Sequence, residues 1–106
     1  MGKSYADLVY QGTLTTDEVT ITTIPDRSIF IMKGFFVSNN NNEDKAFTLK
    51  IGENTRLASQ HAVKANDTTI RDNLHIPLSA GSIISISGEV GNDLDYYIWG
   101  VMEVES

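Results

Sequence analysis

The sequence contains no cysteine, and its 106 residues include only two prolines, two histidines and eight basic residues. The absence of cysteine excludes disulfides, thiolate metal ligands and a cysteine nucleophile. Because acidic residues outnumber basic ones, the net charge is -6, and repulsion from phosphate leads us to expect no binding to DNA or RNA. Stability must therefore come from packing, from turn chemistry or from partner subunits.

Long hydrophobic runs are also missing. No segment reaches the roughly 20 apolar residues that cross a bilayer, and the first seven residues lack the apolar run of a signal peptide. We therefore expect no membrane association and synthesis in a cytoplasm, which is compatible with a final position on a released particle. With 41% apolar and 21% charged residues, residues 1–106 are expected to form a single domain, with 1–6 as a candidate flexible N-terminal arm.

What the sequence does contain is a series of short alternating segments rich in Val, Ile, Thr, Phe and Tyr. None keeps a helical period over a helix-length span. The predicted strands cover residues 8–14, 19–24, 28–38, 46–52, 55–65, 68–78, 83–87 and 94–104, of which 55–65 is also compatible with a helical turn. Their spacing, with Gly, Asn and Asp turns, predicts an all-β fold: an antiparallel β-sandwich of about eight strands, jelly-roll-like.

Two predicted strands carry apolar side chains on both faces, 28–38 and 94–104. One face of the first holds Ile29, Ile31, Phe35 and Val37, and one face of the second holds Leu94, Tyr96, Ile98 and Met102. The residues on the opposite faces are surplus to a single core, so they are either covered within the domain or form a subunit interface. They are our candidate interface residues: Phe30, Met32, Phe36, Tyr97, Trp99 and Val101.

Catalytic chemistry has little support. A cupin-type metal enzyme needs several imidazoles directed at one ion, and only His61 and His75 are present. No nucleophile elbow or phosphate-binding loop occurs. We therefore expect no enzymatic activity and no cofactor.

Two further features have alternative interpretations. The loop Asn39–Asp44 and the group Asn92, Asp93 and Asp95 offer oxygen ligands for a cation such as Ca²⁺, although turn chemistry alone accounts for them. Tyr97 and Trp99 share one strand face and are compatible with a sugar-stacking platform, whereas the alternatives are core packing or a subunit interface.

Several short motifs occur in an order that resembles a known group of proteins. Thr23-Ile24-Pro25 ends an early strand and is followed by a hydrophobic strand that closes on Asn39. The sequences Thr48-Leu49-Lys50-Ile51-Gly52, Leu78-Ser79-Ala80-Gly81-Ser82-Ile83 and Trp99-Gly100-Val101 follow. Over Glu18 to Glu103 this order is similar to that of the small β-sandwich virion accessory proteins of tailed bacteriophages. Asp26-Arg27 and Ser82 depart from it, where a glycine and an acidic residue are common.

The resemblance implies a virion structural protein, most simply a capsid decoration (cement) subunit that forms a homo-oligomer, with a trimer favoured. Its partner would be the major capsid protein or another virion protein. A tail-associated glycan-binding or host-attachment module is the alternative that the same resemblance allows.

Overall fold

The computed structural model describes residues 2–14, 18–52, 55–88 and 94–105. The described residues form nine β-strands. These are Lys3–Thr13 (β1), Val19–Thr23 (β2), Ser28–Asn39 (β3), Lys45–Ile51 (β4), Thr55–Val63 (β5), Thr68–Arg71 (β6), Ile76–Leu78 (β7), Ile83–Gly88 (β8) and Leu94–Glu105 (β9).

The strands form two antiparallel sheets. In the first sheet the order is β1-β9-β3-β6, with β7 pairing the same edge of β3 as β6; in the second sheet it is β2-β8-β4-β5. If β6 and β7 are taken as one interrupted strand, this is the strand order of an eight-stranded jelly roll. The predicted antiparallel β-sandwich with jelly-roll-like topology is confirmed.

Local sequence explains where several strands begin and end. Pro25, which cannot donate a ladder hydrogen bond, follows β2. The ambiguous segment 55–65 is strand, as β5. The predicted strand 68–78 is interrupted at 72–75, where Asn73 adopts the left-handed conformation (φ 55°) and the Leu74 N–H donates to the Lys33 carbonyl at 2.9 Å.

The core lies between the two sheets, and each sheet contributes one face to it. Phe30 and Phe47 are the largest fully buried side chains, with exposures of 0% and 1%. Edge-to-face ring contacts join the sheets, because Phe35 of β3 lies 6.3 Å from Phe47 of β4. Burying this apolar surface is the main favourable contribution to folding.

Residues 3–6 of the expected N-terminal arm are part of the first sheet instead. Lys3–Ala6 belong to β1 and pair with Met102–Glu105 of β9. The Lys3 ammonium lies 3.2 Å from the Glu103 carboxylate, and the Tyr5 hydroxyl donates to the same group at 3.1 Å. Side-chain contacts thus reinforce the backbone pairing at this end of the sheet.

Candidate interaction surface

The outer face of the first sheet is set by the register of its strands. Directly opposite residues in antiparallel strands share a face, and Val9 of β1 is opposite Trp99 of β9. Ile31 of β3 is opposite Val101 of β9. The register therefore places apolar side chains side by side across the middle of this face.

Three aromatic rings form the centre of this surface. Phe36 of β3 stacks on Tyr97 of β9, with ring centroids 5.0 Å apart and an interplanar angle of 9°. The Trp99 indole lies 6.4 Å from Phe36 and 6.0 Å from Tyr97. We call Phe36, Tyr97 and Trp99 the aromatic cluster; all three side chains are half-buried rather than part of the core.

Gly34 makes room for this cluster. A Cβ atom at Gly34 would overlap Cζ2 of Trp99 and would come within 2.7 Å of the Arg71 carbonyl oxygen. The indole therefore lies directly over the Gly34 backbone. Any larger residue at this position would displace Trp99 or move β6 away from β3.

A β-bulge beside Gly34 overturns two of the interface predictions. Met32 is opposite Gly100 and Gly34 is opposite Trp99, so Lys33 is an extra residue in β3. An extra residue reverses the alternation beyond it. Phe30 and Met32, both 0% exposed, are consequently core residues rather than interface residues.

The other four candidates lie together on the outer face. Phe36, Tyr97 and Trp99 are the aromatic cluster, and Val101 is beside it on β9, half-buried. Because β9 pairs with β3 and β1 without a bulge of its own, the simple alternation predicted its outer side chains correctly.

Sequence reasoning missed three members of the same surface. Val9 is 40% exposed on β1, and Ile70 is 55% exposed on β6, opposite Phe36. Ile31 is half-buried beside Val101. The alternation of apolar and polar residues in β1 would have placed Val9 on the outer face. The bulge in β3 hid the outward position of Ile31, and the break between β6 and β7 hid that of Ile70. We call Val9, Ile31, Phe36, Ile70, Tyr97, Trp99 and Val101 the outer apolar face.

A hollow of about 450 Å³ adjoins one end of the outer apolar face. Its lining includes the aromatic residues Phe36 and Tyr97 and the polar residues Thr13, Asn40 and Asp95. Among these, Asp95 accepts hydrogen bonds from the Thr13 hydroxyl at 2.8 Å and from the Asn40 amide at 3.1 Å. The hollow thus combines aromatic surface with hydrogen-bonding groups.

In the loop Asn39–Asp44, Asn39 and Asp44 bond within the chain, whereas the buried Nδ2 of Asn41 has no hydrogen-bond partner among the described residues. The Asn39 amide, 1% exposed, donates to the carbonyls of Glu43 and Val63, each at 2.9 Å, and its oxygen accepts from the Asn41 N–H at 2.8 Å. Asp44 accepts from the Ala65 N–H at 2.9 Å. These bonds are turn and loop chemistry, the alternative to a cation site. Asn92 and Asp93 lie outside the described residues.

The two histidines do not converge. His61 is in β5 of the second sheet, with its ring 5.7 Å from that of Phe47. His75 precedes β7 of the first sheet, and its Nδ1 lies 3.2 Å from Nζ of Lys33. Within the part of the chain that the structure describes, no three His, Asp or Glu side chains are grouped to hold a metal ion. The described residues also include no helix long and apolar enough to span a membrane.

The outer face of the second sheet is polar, in contrast to that of the first. There the Glu18 carboxylate accepts hydrogen bonds from the Lys50 ammonium at 3.0 Å and the Ser85 hydroxyl at 2.9 Å. The bond from Lys50, followed by that from Ser85, lowers the pKa of Glu18 below its ordinary value. Glu18 thereby connects the segment before β2 to β4 and β8.

No protein-family model and no curated protein sequence matches this chain. Among solved structures, it is similar to a protein from the disulfide-linked pili of Bacillus endospore appendages, with a TM-score of 0.59 and 10% identity over 98% of this chain and 89% of that chain. The first similarity shows a shared fold alone.

A second similarity is to a chain of the infectious bursal disease virus Gt strain, with a TM-score of 0.48 and 14% identity over 97% of this chain. The match covers 32% of the viral chain. With a TM-score below 0.5, this similarity supports no inference about function.

Proposed function

We propose that the chain is a non-enzymatic structural protein of a virion, and specifically a capsid decoration (cement) subunit that forms homo-oligomers and stabilises a phage head. The observation that carries this proposal is the outer apolar face, with Val9 40% and Ile70 55% exposed around the aromatic cluster. Soluble monomers rarely leave contiguous apolar patches of this kind in water. The order of sequence motifs, which resembles that of tailed-phage accessory proteins, supports the same function.

Such a subunit acts through contact area. The outer apolar face of one copy packs against another copy or against the major capsid protein, and many weak contacts on one shell add up to strong attachment. A cement subunit binds the assembled shell and so stabilises it by mass action. The appendage protein with a similar fold belongs to disulfide-linked pili, but this chain has no cysteine, so its assembly depends on non-covalent contacts.

The Trp99→Asp substitution tests the role of the outer apolar face. A charge in the middle of the buried contact is expected to weaken self-association, or binding to capsids, by about 100-fold, because an unpaired charge would be desolvated. Size-exclusion chromatography with light scattering measures the oligomer, and co-sedimentation with phage capsids measures docking. Thr20→Asp, an exposed position of β2 on the second sheet, is the control with the same added charge.

Circular dichroism is needed to establish that Trp99→Asp folds. A folded variant with the oligomeric state and capsid binding of the parent would contradict the proposal. A trimer that co-sediments with capsids and dissociates in the variant is the expected result.

A second function, tail-associated glycan binding for host attachment, is favoured by the hollow beside the aromatic cluster. Phe36 and Tyr97 offer ring surface there, and Thr13, Asn40 and Asp95 offer hydrogen-bonding groups. Sugar rings are bound by this combination of stacking and hydrogen bonding.

A glycan array separates this function from the first. If the hollow binds sugar, Tyr97→Ala is expected to lose the array signal, whereas Tyr5→Ala, an exposed tyrosine near the other end of the sheet, keeps it. The absence of any signal for the parent protein would exclude the glycan function without affecting the cement function.

A further inference from the structure

The four edges of the two sheets differ in how well they could accept another strand. Exposed edges are usually blunted by short strands, bulges, proline or charge, because an unprotected edge pairs with other chains. In the second sheet, the β2 edge has five residues and a register shift between Thr20 and Thr22. The β5 edge has two register shifts relative to β4, and Gln60 is left-handed (φ 45°). Both edges are blunted.

The far edge of the first sheet is blunted as well. It consists of β6, with four residues, and β7, with three. The two strands are separated by residues 72–75, and Pro77 in β7 has no N–H to donate. No long regular ladder can form along this side.

The β1 edge is not shortened, bulged or interrupted by proline, and its charged residues are Lys3 and Asp7. β1 is 11 residues long, contains no proline, and pairs with β9 in one continuous register without a shift. Lysine is the usual protecting residue of an edge strand, but Lys3 is bound to Glu103 of the neighbouring β9 at 3.2 Å. Along the described chain no strand pairs with the other side of β1, so its outward backbone groups are available as a template.

We infer that β1 pairs with β1 of a second copy of the chain, antiparallel and about a two-fold axis. A strand added at β1 must itself come from a regular edge, and among the described strands β1 is the one edge that is long and unbroken. A two-fold axis is the commonest symmetry of homo-oligomers. β-strand addition derives its affinity mainly from backbone hydrogen bonds, so it does not require a special side-chain pattern.

Charge and strand faces are compatible with this pairing. A register centred on Leu8 pairs all 11 residues and places Lys3 opposite Thr13 and Asp7 opposite Val9, so no like charges oppose each other. Because the register conserves strand faces, the first sheets of the two copies become one eight-stranded path, β6-β3-β9-β1 joined to its symmetry mate. The two outer apolar faces then lie on the same side and form one wider surface.

This inference deepens the proposed function and rests on its self-association, but not on the outer apolar face. It also differs from the trimer implied by the sequence resemblance, because a two-fold edge gives a dimer as the basic unit. The edge and the face can therefore be tested separately.

Single-cysteine scanning provides the main test, because the native chain has no cysteine. Cysteine is introduced singly at Ser4, Tyr5, Ala6, Asp7, Leu8, Val9 and Gln11, and each purified variant is oxidised mildly. In a two-fold antiparallel pair one residue faces its own symmetry mate, so disulfide-linked dimer is expected to peak at one position of β1 and to fall on either side. Ser59→Cys, exposed on the blunted β5 edge, is the matched control and should give about tenfold less dimer.

Two outcomes would overturn the inference. One is cross-linking along β1 that does not exceed that of Ser59→Cys, and the other is equal cross-linking at every position, which indicates random collision. Repeating the best variant in the Trp99→Asp background separates the two surfaces. Cross-linking that persists there assigns the dimer to the edge; cross-linking that disappears assigns it to the outer apolar face and overturns the two-fold edge.

Proline substitution provides a second measurement. The N–H groups of an edge strand point alternately toward its neighbour and away from it, so one of the pair Ala6→Pro and Asp7→Pro removes an outward N–H and the other an inward one. The outward variant is expected to keep the parent's unfolding midpoint while the dimer dissociation constant rises about tenfold. If both variants fold and dimerise like the parent, the edge is not the contact.

Discussion

Gly34 is the residue that most directly shapes the outer apolar face. It ends the bulge in β3, and its missing side chain leaves the space that the Trp99 indole occupies. The bulge at Lys33-Gly34 thus sets the alternation of β3 beyond Met32, and the missing side chain of Gly34 sets the position of the largest ring of the aromatic cluster.

Gly34→Ala is predicted to destabilise the fold by about 2 kcal/mol, because the added methyl group overlaps Trp99 and approaches the Arg71 carbonyl. Urea unfolding measures the free energy. The fluorescence of Trp99, which is the sole tryptophan, is expected to shift to longer wavelength as the indole is displaced toward water. Gly2→Ala, where nothing lies within 4 Å of the added Cβ, should change neither quantity. A Gly34→Ala variant of unchanged stability and emission would contradict this packing.

The same position limits what the sequence can predict at the residue scale. Strict alternation in 28–38 put Phe30, Met32 and Phe36 on one face, whereas the extra residue Lys33 puts Phe30 and Met32 in the core and Phe36 outside. The Lys33-Gly34 pair signals a possible bulge, since glycine inside a strand pattern often marks one. Its exact location depends on pairing with β9, which the local sequence does not contain.

At the scale of elements, prediction succeeded where strands pair regularly. In β9, alternation correctly separated Tyr97, Trp99 and Val101 from the core residues Leu94 and Ile98. It failed in 68–78, which was taken as one strand. Residues 72–75 leave the ladder there because Asn73 is left-handed and Leu74 bonds to Lys33 of β3, a contact between segments far apart in sequence.

The Glu18 contact between the segment before β2 and its neighbours is predicted to make stability depend on pH. Hydrogen bonds from Lys50 and Ser85 lower the pKa of Glu18 in the folded chain below its ordinary value of 4.5. A group with a lowered folded-state pKa stabilises the fold fully above its unfolded-state pKa, and this contribution is lost as the pH falls through the folded-state pKa.

Glu18→Gln should therefore unfold at a lower urea concentration than the parent at pH 7, and the difference should be smaller at about pH 3, because protonation of Glu18 removes its contribution as the pH falls through the folded-state pKa. Glu43→Gln, at a carboxylate that is 81% exposed and 3.7 Å from Lys45, is the control for loss of a surface charge. An equal difference at both pH values would mean that the Glu18 charge is not responsible.

On the scale of the whole molecule, the two outer faces of the sandwich are unlike each other. That of the first sheet is apolar around the aromatic cluster, and that of the second is polar around Glu18 and Lys50. Composition and periodicity predicted the sandwich and the presence of a surplus apolar face. Which side chains form that face required the register between strands.

Self-association of the whole chain is predicted to strengthen with salt. Each copy carries a net charge of -6, so copies repel one another, and raising NaCl from about 50 mM to about 500 mM screens this repulsion. Apolar contacts and backbone hydrogen bonds are not weakened by such screening. Sedimentation equilibrium should show a dissociation constant that falls as salt rises; one that rises would indicate an interface held by ion pairs.

The position of β9 between β1 and β3 has a consequence for the order of folding. Lys3 pairs with Glu105 of β9. β1 therefore cannot pair with β9 until about a hundred further residues have been synthesised. Until β9 emerges, the first sheet lacks its central strand, and only the pairing of β2, β8, β4 and β5 and the short contacts of β3 with β6 and β7 can form. Such distant pairings make folding slow, in the millisecond-to-second range. During synthesis, the exposed backbone of β1 and β3 is the part of the nascent chain most in need of protection from premature association.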